Sequence, residues 1–272
     1  MADALVGALD GFREHQTSNS AALVAYFGFI SVFPLFLVFT TVLGFVLQGD
    51  AELQEKIVDS ALARLPLIGD KLASSPDTLQ GSWTALIVGL LLALWSGLKA
   101  FVALQTALDN TNEVAIDDRA SFVTVRARAL LGICIIGLAQ VATAFFTGVV
   151  TSAGFAGIGK VLLVVAAAAV NTVVLAFSYR FLTTASLTWR FVWPGAIVAG
   201  VLFAGLQLVG TTIITRSQEN ASSVYGDFAT VIALLAWLAM HATIALLGAE
   251  INRSVANPIG SAEPRMERDD LA

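Results

Sequence analysis

From Phe228 to Ile251 only Thr230, His241, Thr243 and Glu250 interrupt an apolar run, and Asp227 stands at its head. A hydrocarbon core of about 30 Å needs roughly 20 helical residues to cross it, so this run is a membrane span. Five earlier runs repeat the pattern, and the spans read as about 21–47, 83–101, 129–150, 161–181, 194–215 and 228–251. The predicted class is all-α: a polytopic membrane bundle of six transmembrane helices with short amphipathic surface helices. Residues 1–256 form one domain, and 257–272, with Pro258, Gly260 and Pro264 among charges, read as a disordered tail.

Between the spans the periodicity changes. Leu5, Val6, Leu9 and Phe12 recur at helical spacing, which predicts an amphipathic helix over 2–14 lying at the membrane surface. Thr17 to Ser20 then offer capping side chains for a helix beginning near Ala21. Pro34 sits at the centre of the first span, where the missing N–H and the ring disturb the backbone near Ile30, making it a candidate hinge. Residues 48–82 are the longest polar interval, with Leu53, Ile57, Val58, Ala61, Leu62 and Leu65 on one helical face. Pro194 is placed in the first turn of the fifth span, where proline is harmless. Ala196, Gly200 and Ala204 follow at intervals of four, a seam that lets a second helix approach closely.

Composition narrows the class further. Only 13% of residues are charged and the mean hydropathy is +0.81, against about 25% charged in a soluble domain. A net charge of −5 gives no support to nucleic-acid binding. Cys134 is the single cysteine, which excludes an intramolecular disulfide and reads as structural. Of the 15 basic residues, Arg13, Lys99, Arg119, Arg126, Arg128, Arg180, Arg190, Arg253, Arg265 and Arg268 fall on the side of both termini. The positive-inside rule therefore predicts cytoplasmic N- and C-termini.

Four polar residues, Gln140, Asn171, Gln207 and His241, fall near the midplane, one from each of the last four spans. Two readings fit them: a substrate site or pathway, and amides and an imidazole that bond one another between helices. Asp227 with Thr143 and Thr147 of a threonine stripe would form an outer entrance. Toward the end of the last span Glu250 calls for a cation, and Arg126, Arg128 or Arg253 would supply a structural ion pair or a cytoplasmic gate. Asp109, Glu113, Asp117 and Asp118 read as a solvated face. His15 and His241 are far apart in sequence, no HxxxH, HExxH or CxxC spacing occurs, and no GxxxxGK[ST] loop is present. The expectation is no catalytic residue, no metal and no cofactor.

Four stretches resemble the YihY/BrkB family of bacterial inner-membrane proteins: AALVAYFGFISVFPLFLVF, WSGLKAFVALQTALDNTNEV, WPGAIVAGVLFAGLQLVG, and SSVYGDFATVIALLAWL followed by LLGAEIN. The resemblance implies a six-helix inner-membrane bundle. Members of the family have been labelled ribonuclease BN, a name generally regarded as mistaken, and others are linked to serum resistance or to lipid and lipopolysaccharide export. The expected function is a transporter or flippase-like exporter of a lipid or other amphiphile, with membrane lipids as partners. The alternative is a protein that scaffolds an envelope complex, through homo-oligomers or other partners, and a ribonuclease ranks last.

Overall fold

The computed structural model describes residues 2–46, 82–136, 158–220 and 226–257, and among these every regular element is helical. In chain order they are α1 (Ala2–Glu14), α2 (Thr17–Val46), α3 (Trp83–Thr111), α4 (residues 122–136), α5 (Ile158–Phe181), α6 (Trp189–Asn220) and α7 (Gly226–Ala256). Five of them carry stretches long and apolar enough to cross a membrane: Thr17–Val38, Trp83–Thr111, Val161–Phe181, Trp189–Gln207 and Val231–Ala256. The remaining expected span, 129–150, is helical over 129–136 within α4, and 137–150 lie outside the described residues. So do most of the polar interval at 48–82 and the tail from residue 258.

The helices run longer than their apolar runs. α2 begins at Thr17 rather than near Ala21 and is continuous across Pro34. α6 begins at Trp189, which puts Pro194 inside the helix instead of in its first turn. Proline removes one helical N–H and crowds the carbonyl four residues back. The next N–H, that of Gly195, donates to Asn252 Oδ1 of α7 at 2.7 Å.

The chain divides into two compact units, Met1–Ala21 with Leu104–Gly205 and Thr243–Ala272, and Ala22–Ala103 with Leu206–Ala242. The first has a core of small side chains. Ala8, Ala107, Ala129, Val192, Ala196 and Leu246 are all at most 3% exposed. Between membrane helices apolar burial gives little drive, so contact is won by letting backbones approach. A Cβ on Gly248 would meet the Gly195 carbonyl oxygen at 2.8 Å and Ala199 Cβ at 2.9 Å, joining α7 to α6. Gly200 abuts Thr172 of α5, where a Cβ would lie 2.8 Å from the backbone nitrogen. The seam Ala196, Gly200, Ala204 is therefore a buried packing face. Tyr179 O–H, also buried, donates to the Ala245 carbonyl at 2.5 Å.

In the second unit α2 and α3 meet at Gly89, where a Cβ would stand 3.2 Å from Leu37 and Val38 side-chain carbons. Phe45 and Trp83 close one end of that contact with ring centroids 4.8 Å apart. Lys99 Nζ lies 4.1 Å from the Trp95 ring centroid and 5.6 Å from that of Phe27. Large apolar side chains such as Leu91, Trp95, Val165 and Val201 are more than half exposed, the surface that lipid would cover. Cys134 of α4 is exposed as well.

Candidate functional site: the buried Glu250 carboxylate

Two corners set up this site, and both hold a residue in a conformation that side chains avoid. α1 ends with His15 N–H donating to Gly11 O at 2.9 Å, and Gln16 turns the chain with φ 50°. α3 ends with Glu113 at φ 52°, its N–H donating to Asn110 O at 3.0 Å and that of Val114 to Asp109 O at 2.9 Å. Glycine or asparagine usually occupies such positions, and other residues lose about 1–2 kcal/mol there. The two corners deliver His15 and Glu113 to the C-terminal part of α7.

Glu250 lies within the apolar stretch Val231–Ala256 and is 1% exposed. Its Oε1 accepts from Thr17 Oγ1 at 2.8 Å and from Thr111 Oγ1 at 3.1 Å. His15 Nδ1 lies 3.0 Å from Oε1 and 3.2 Å from Oε2. On the other ring edge Arg253 Nη1 lies 3.0 Å from His15 Nε2. An imidazole carrying its proton on Nδ1 satisfies both contacts, donating to the carboxylate and accepting from the guanidinium. Arg253 also pairs with Glu113, whose Oε1 is 3.7 Å from His15 Nε2. The result is a chain Glu250–His15–Arg253–Glu113 that runs from a fully buried carboxylate to an exposed one.

Burying a carboxylate costs several kcal/mol unless its lone pairs are filled. Four helices contribute to filling these: α1 through His15 at its end, α2 through Thr17, α3 through Thr111 and α7 through Glu250 itself. Thr17 is thereby a ligand of the carboxylate and not a helix cap. α1 comes close enough only because it presents glycine: a Cβ on Gly11 would lie 2.6 Å from Glu250 Oε2, and one on Gly7 2.6 Å from Ser254 Oγ. Val6 and Leu9, on the apolar face read from the sequence, point away and are more than half exposed.

The expected arginine partners of Glu250 are placed differently. Arg253 reaches it only through His15. Arg126 is exposed and stacks over Phe122, 3.2 Å from the ring centroid. Arg128 Nη1 donates to the Thr183 carbonyl at 3.0 Å. Asp109 is not part of a solvated face: it is 5% exposed, and its Oδ1 accepts from Thr183 Oγ1 at 2.7 Å and from Thr184 N–H at 2.6 Å.

Of the midplane residues, Asn171 of α5 is half-buried and belongs to the first unit. Gln207 of α6 is exposed and, with His241 of α7, belongs to the second. His241 is half-buried, its Nδ1–H donates to Trp237 O at 2.9 Å, and the two rings lie 4.7 Å apart. Gln140, Thr143 and Thr147 lie outside the described residues. Asp227 is in the first turn of α7, its side chain also outside that description. Pro34 is half-buried within the continuous α2.

Sequence reasoning missed His15, Thr17 and Thr111 as ligands of one group. The available signal was the Gly7–Gly11 pair, a close-approach pattern on a helix whose large side chains lie on another face. No solved structure matches the chain. The Bacillus subtilis (strain 168) protein named ribonuclease-like protein YfkH is 24% identical over 257 residues, covering 88% of this chain and 90% of that protein. The family described as Virulence factor BrkB matches residues 8–271. With five apolar helices and a match over nearly its whole length, this multi-pass membrane protein belongs to the BrkB family.

Proposed function

We propose that the protein is a six-span transporter of the bacterial inner membrane, not an enzyme, that moves a lipid or other amphiphile and has both termini in the cytoplasm. The observation that carries this reading is Glu250: an ionisable group, 1% exposed, inside a stretch apolar enough to span a bilayer. Such groups are costly in a membrane and are retained where charge has to be handled. A carboxylate held by Thr17, Thr111 and His15 ties together the ends of four helices. Taking up a proton or cation there weakens its grip on those donors and frees the helix ends to shift. In this reading the cluster is the cytoplasmic gate.

The test is scrambling or uptake of a fluorescent phospholipid in vesicles holding the purified chain, with and without a pH gradient. Movement by the wild type and its arrest in Glu250→Gln, with folding intact, is the expected result. No movement in either gradient direction by a monodisperse, folded protein overturns the transport reading. Capture of a stable envelope partner by that inactive protein would then favour the scaffold. RNA cleavage lost on mutation of the chain's own carboxylates would instead favour the activity suggested by the Bacillus relative's name. Labelling of cysteines engineered at Arg13 and Asn257 from the cytoplasmic side only is the outcome expected for the orientation.

A further inference from the structure

We propose that the cavity bounded by α4, the end of α5 and the turn after it binds the phosphate group of an anionic membrane lipid. The cavity measures about 340 Å³ and is lined by Arg128, Arg180, Thr184 and Ser186, with Leu131 and Phe181 also on its wall. That volume falls in the range of small-molecule sites, about 300–1,000 Å³. Two guanidinium groups line it and, among the described residues, no carboxylate does.

Arg180 supplies the main argument. Its Nε is buried and has no hydrogen-bond partner, and among the described residues no carboxylate lies within ion-pair distance of it or of Arg128. That Nε is closed off even from water, so a ligand in the cavity meets the outer guanidinium nitrogens, and the positive charge of two arginines with no facing carboxylate among the described residues is what favours an anion. Arg128 spends Nη1 on the Thr183 carbonyl at 3.0 Å and Thr184 Oγ1 at 3.4 Å, which leaves its other edge unspent. Asp109, packed against the same turn, is occupied by the Thr183 hydroxyl and by the N–H and hydroxyl of Thr184, and so shapes the turn while offsetting part of the positive charge. Guanidinium forks match phosphate oxygens in pairs, and a hydroxyl such as that of Ser186 adds a further donor.

A lipid source is favoured over free phosphate by the surroundings. Phe181 closes the apolar stretch Val161–Phe181. It lies 5.9 Å from Trp189, which in turn lies 6.4 Å from Trp193. Clustered indoles mark the depth of the headgroups. Leu131 and Phe181 are 47% and 39% exposed, an apolar surface beside the arginines for acyl chains. This site is separate from the Glu250 cluster, and the inference does not rest on the transport reading.

The experiment is native mass spectrometry of the full chain, freed of lipid in neutral detergent, titrated with phosphatidylglycerol, phosphatidylcholine or inorganic phosphate. Phosphatidylglycerol is expected to bind at least about tenfold more tightly than phosphatidylcholine, with Arg180→Gln and Arg128→Gln each weakening it roughly tenfold. Ser186→Trp occupies the cavity while leaving both arginines in the sequence and should abolish binding. It keeps the test decisive where an arginine variant fails to fold. Equal binding of phosphatidylglycerol by the wild type and by folded Arg128→Gln/Arg180→Gln and Ser186→Trp proteins overturns the proposal. Displacement of phosphatidylglycerol by millimolar inorganic phosphate overturns the lipid source and leaves a soluble phosphate as the ligand.

Discussion

Gly11 of α1 lies against the carboxylate of Glu250, so closely that a single added methyl carbon would stand 2.6 Å from Oε2. The carboxylate cannot swing away, because Thr17, Thr111 and His15 hold it from the other sides. Gly11→Ala should therefore lower stability by about 1–3 kcal/mol, the usual cost of overpacking a fixed site. Thermal unfolding in detergent reads this directly, and a melting temperature equal to the wild type would mean that α1 does not dock here.

Thr111→Val keeps the shape of the side chain and removes one donor to a buried charge. Hydrogen bonds to charged groups contribute about 1.5–3 kcal/mol, and a loss of that size is expected. Thr111→Ser, which keeps the hydroxyl, should recover most of it. If Val and Ser prove equally stable, the hydroxyl contact with Glu250 has no energetic weight.

Gly248 and Gly205 give opposite expectations for the same substitution. At Gly248 a new Cβ meets a backbone carbonyl and Ala199, so Gly248→Ala should separate α6 from α7 and sharply reduce the yield of folded protein. At Gly205 a Cβ meets nothing within 4 Å. There alanine's helical preference, about 0.5–1 kcal/mol, should make Gly205→Ala neutral to stabilising. Paired melting curves check both, and similar behaviour of the two variants would contradict the packing described.

Asp109→Ala leaves the Thr184 N–H and the Thr183 hydroxyl without their acceptor beside a buried turn. A loss of about 3 kcal/mol is expected, since each is a bond to a charged group. The cavity lined by that turn should lose its lipid as well, a link that titration with phosphatidylglycerol can test independently of the melting curve.

Gln16→Gly relieves a positive φ at the corner that carries His15. The gain in the folded state is partly offset by the greater freedom of glycine in the unfolded chain, leaving stabilisation of at most about 1 kcal/mol. A clear loss, measured by chemical unfolding, would indicate that the Gln16 side chain itself is needed, beyond its hydrogen bond from Asn19.

Much of the fold was legible because bilayer physics acts on long windows. A helix inside lipid must satisfy its own backbone, so runs such as Val161–Phe181 and Val231–Ala256 announce themselves by length and apolarity alone. The Ala196, Gly200, Ala204 seam was legible for a similar reason, since only small side chains at a spacing of four allow such contact. Apolarity also misplaced helix starts, because Thr17 and Trp189 begin helices that extend past the greasy stretch.

From sequence alone came the membrane-spanning class, the amphipathic first helix and the need of Glu250 for a partner, all consequences of local composition and period. The identity of that partner was a tertiary matter. An arginine is the natural electrostatic expectation, yet the carboxylate is filled by two hydroxyls and an imidazole drawn from residues 15, 17 and 111, with Arg253 one step further out. Likewise Asp109 reads as solvated until the turn after α5 folds over it. Which donors reach a buried acceptor depends on where chain reversals such as those at Gln16 and Glu113 bring distant segments together, and no window along the chain encodes that meeting.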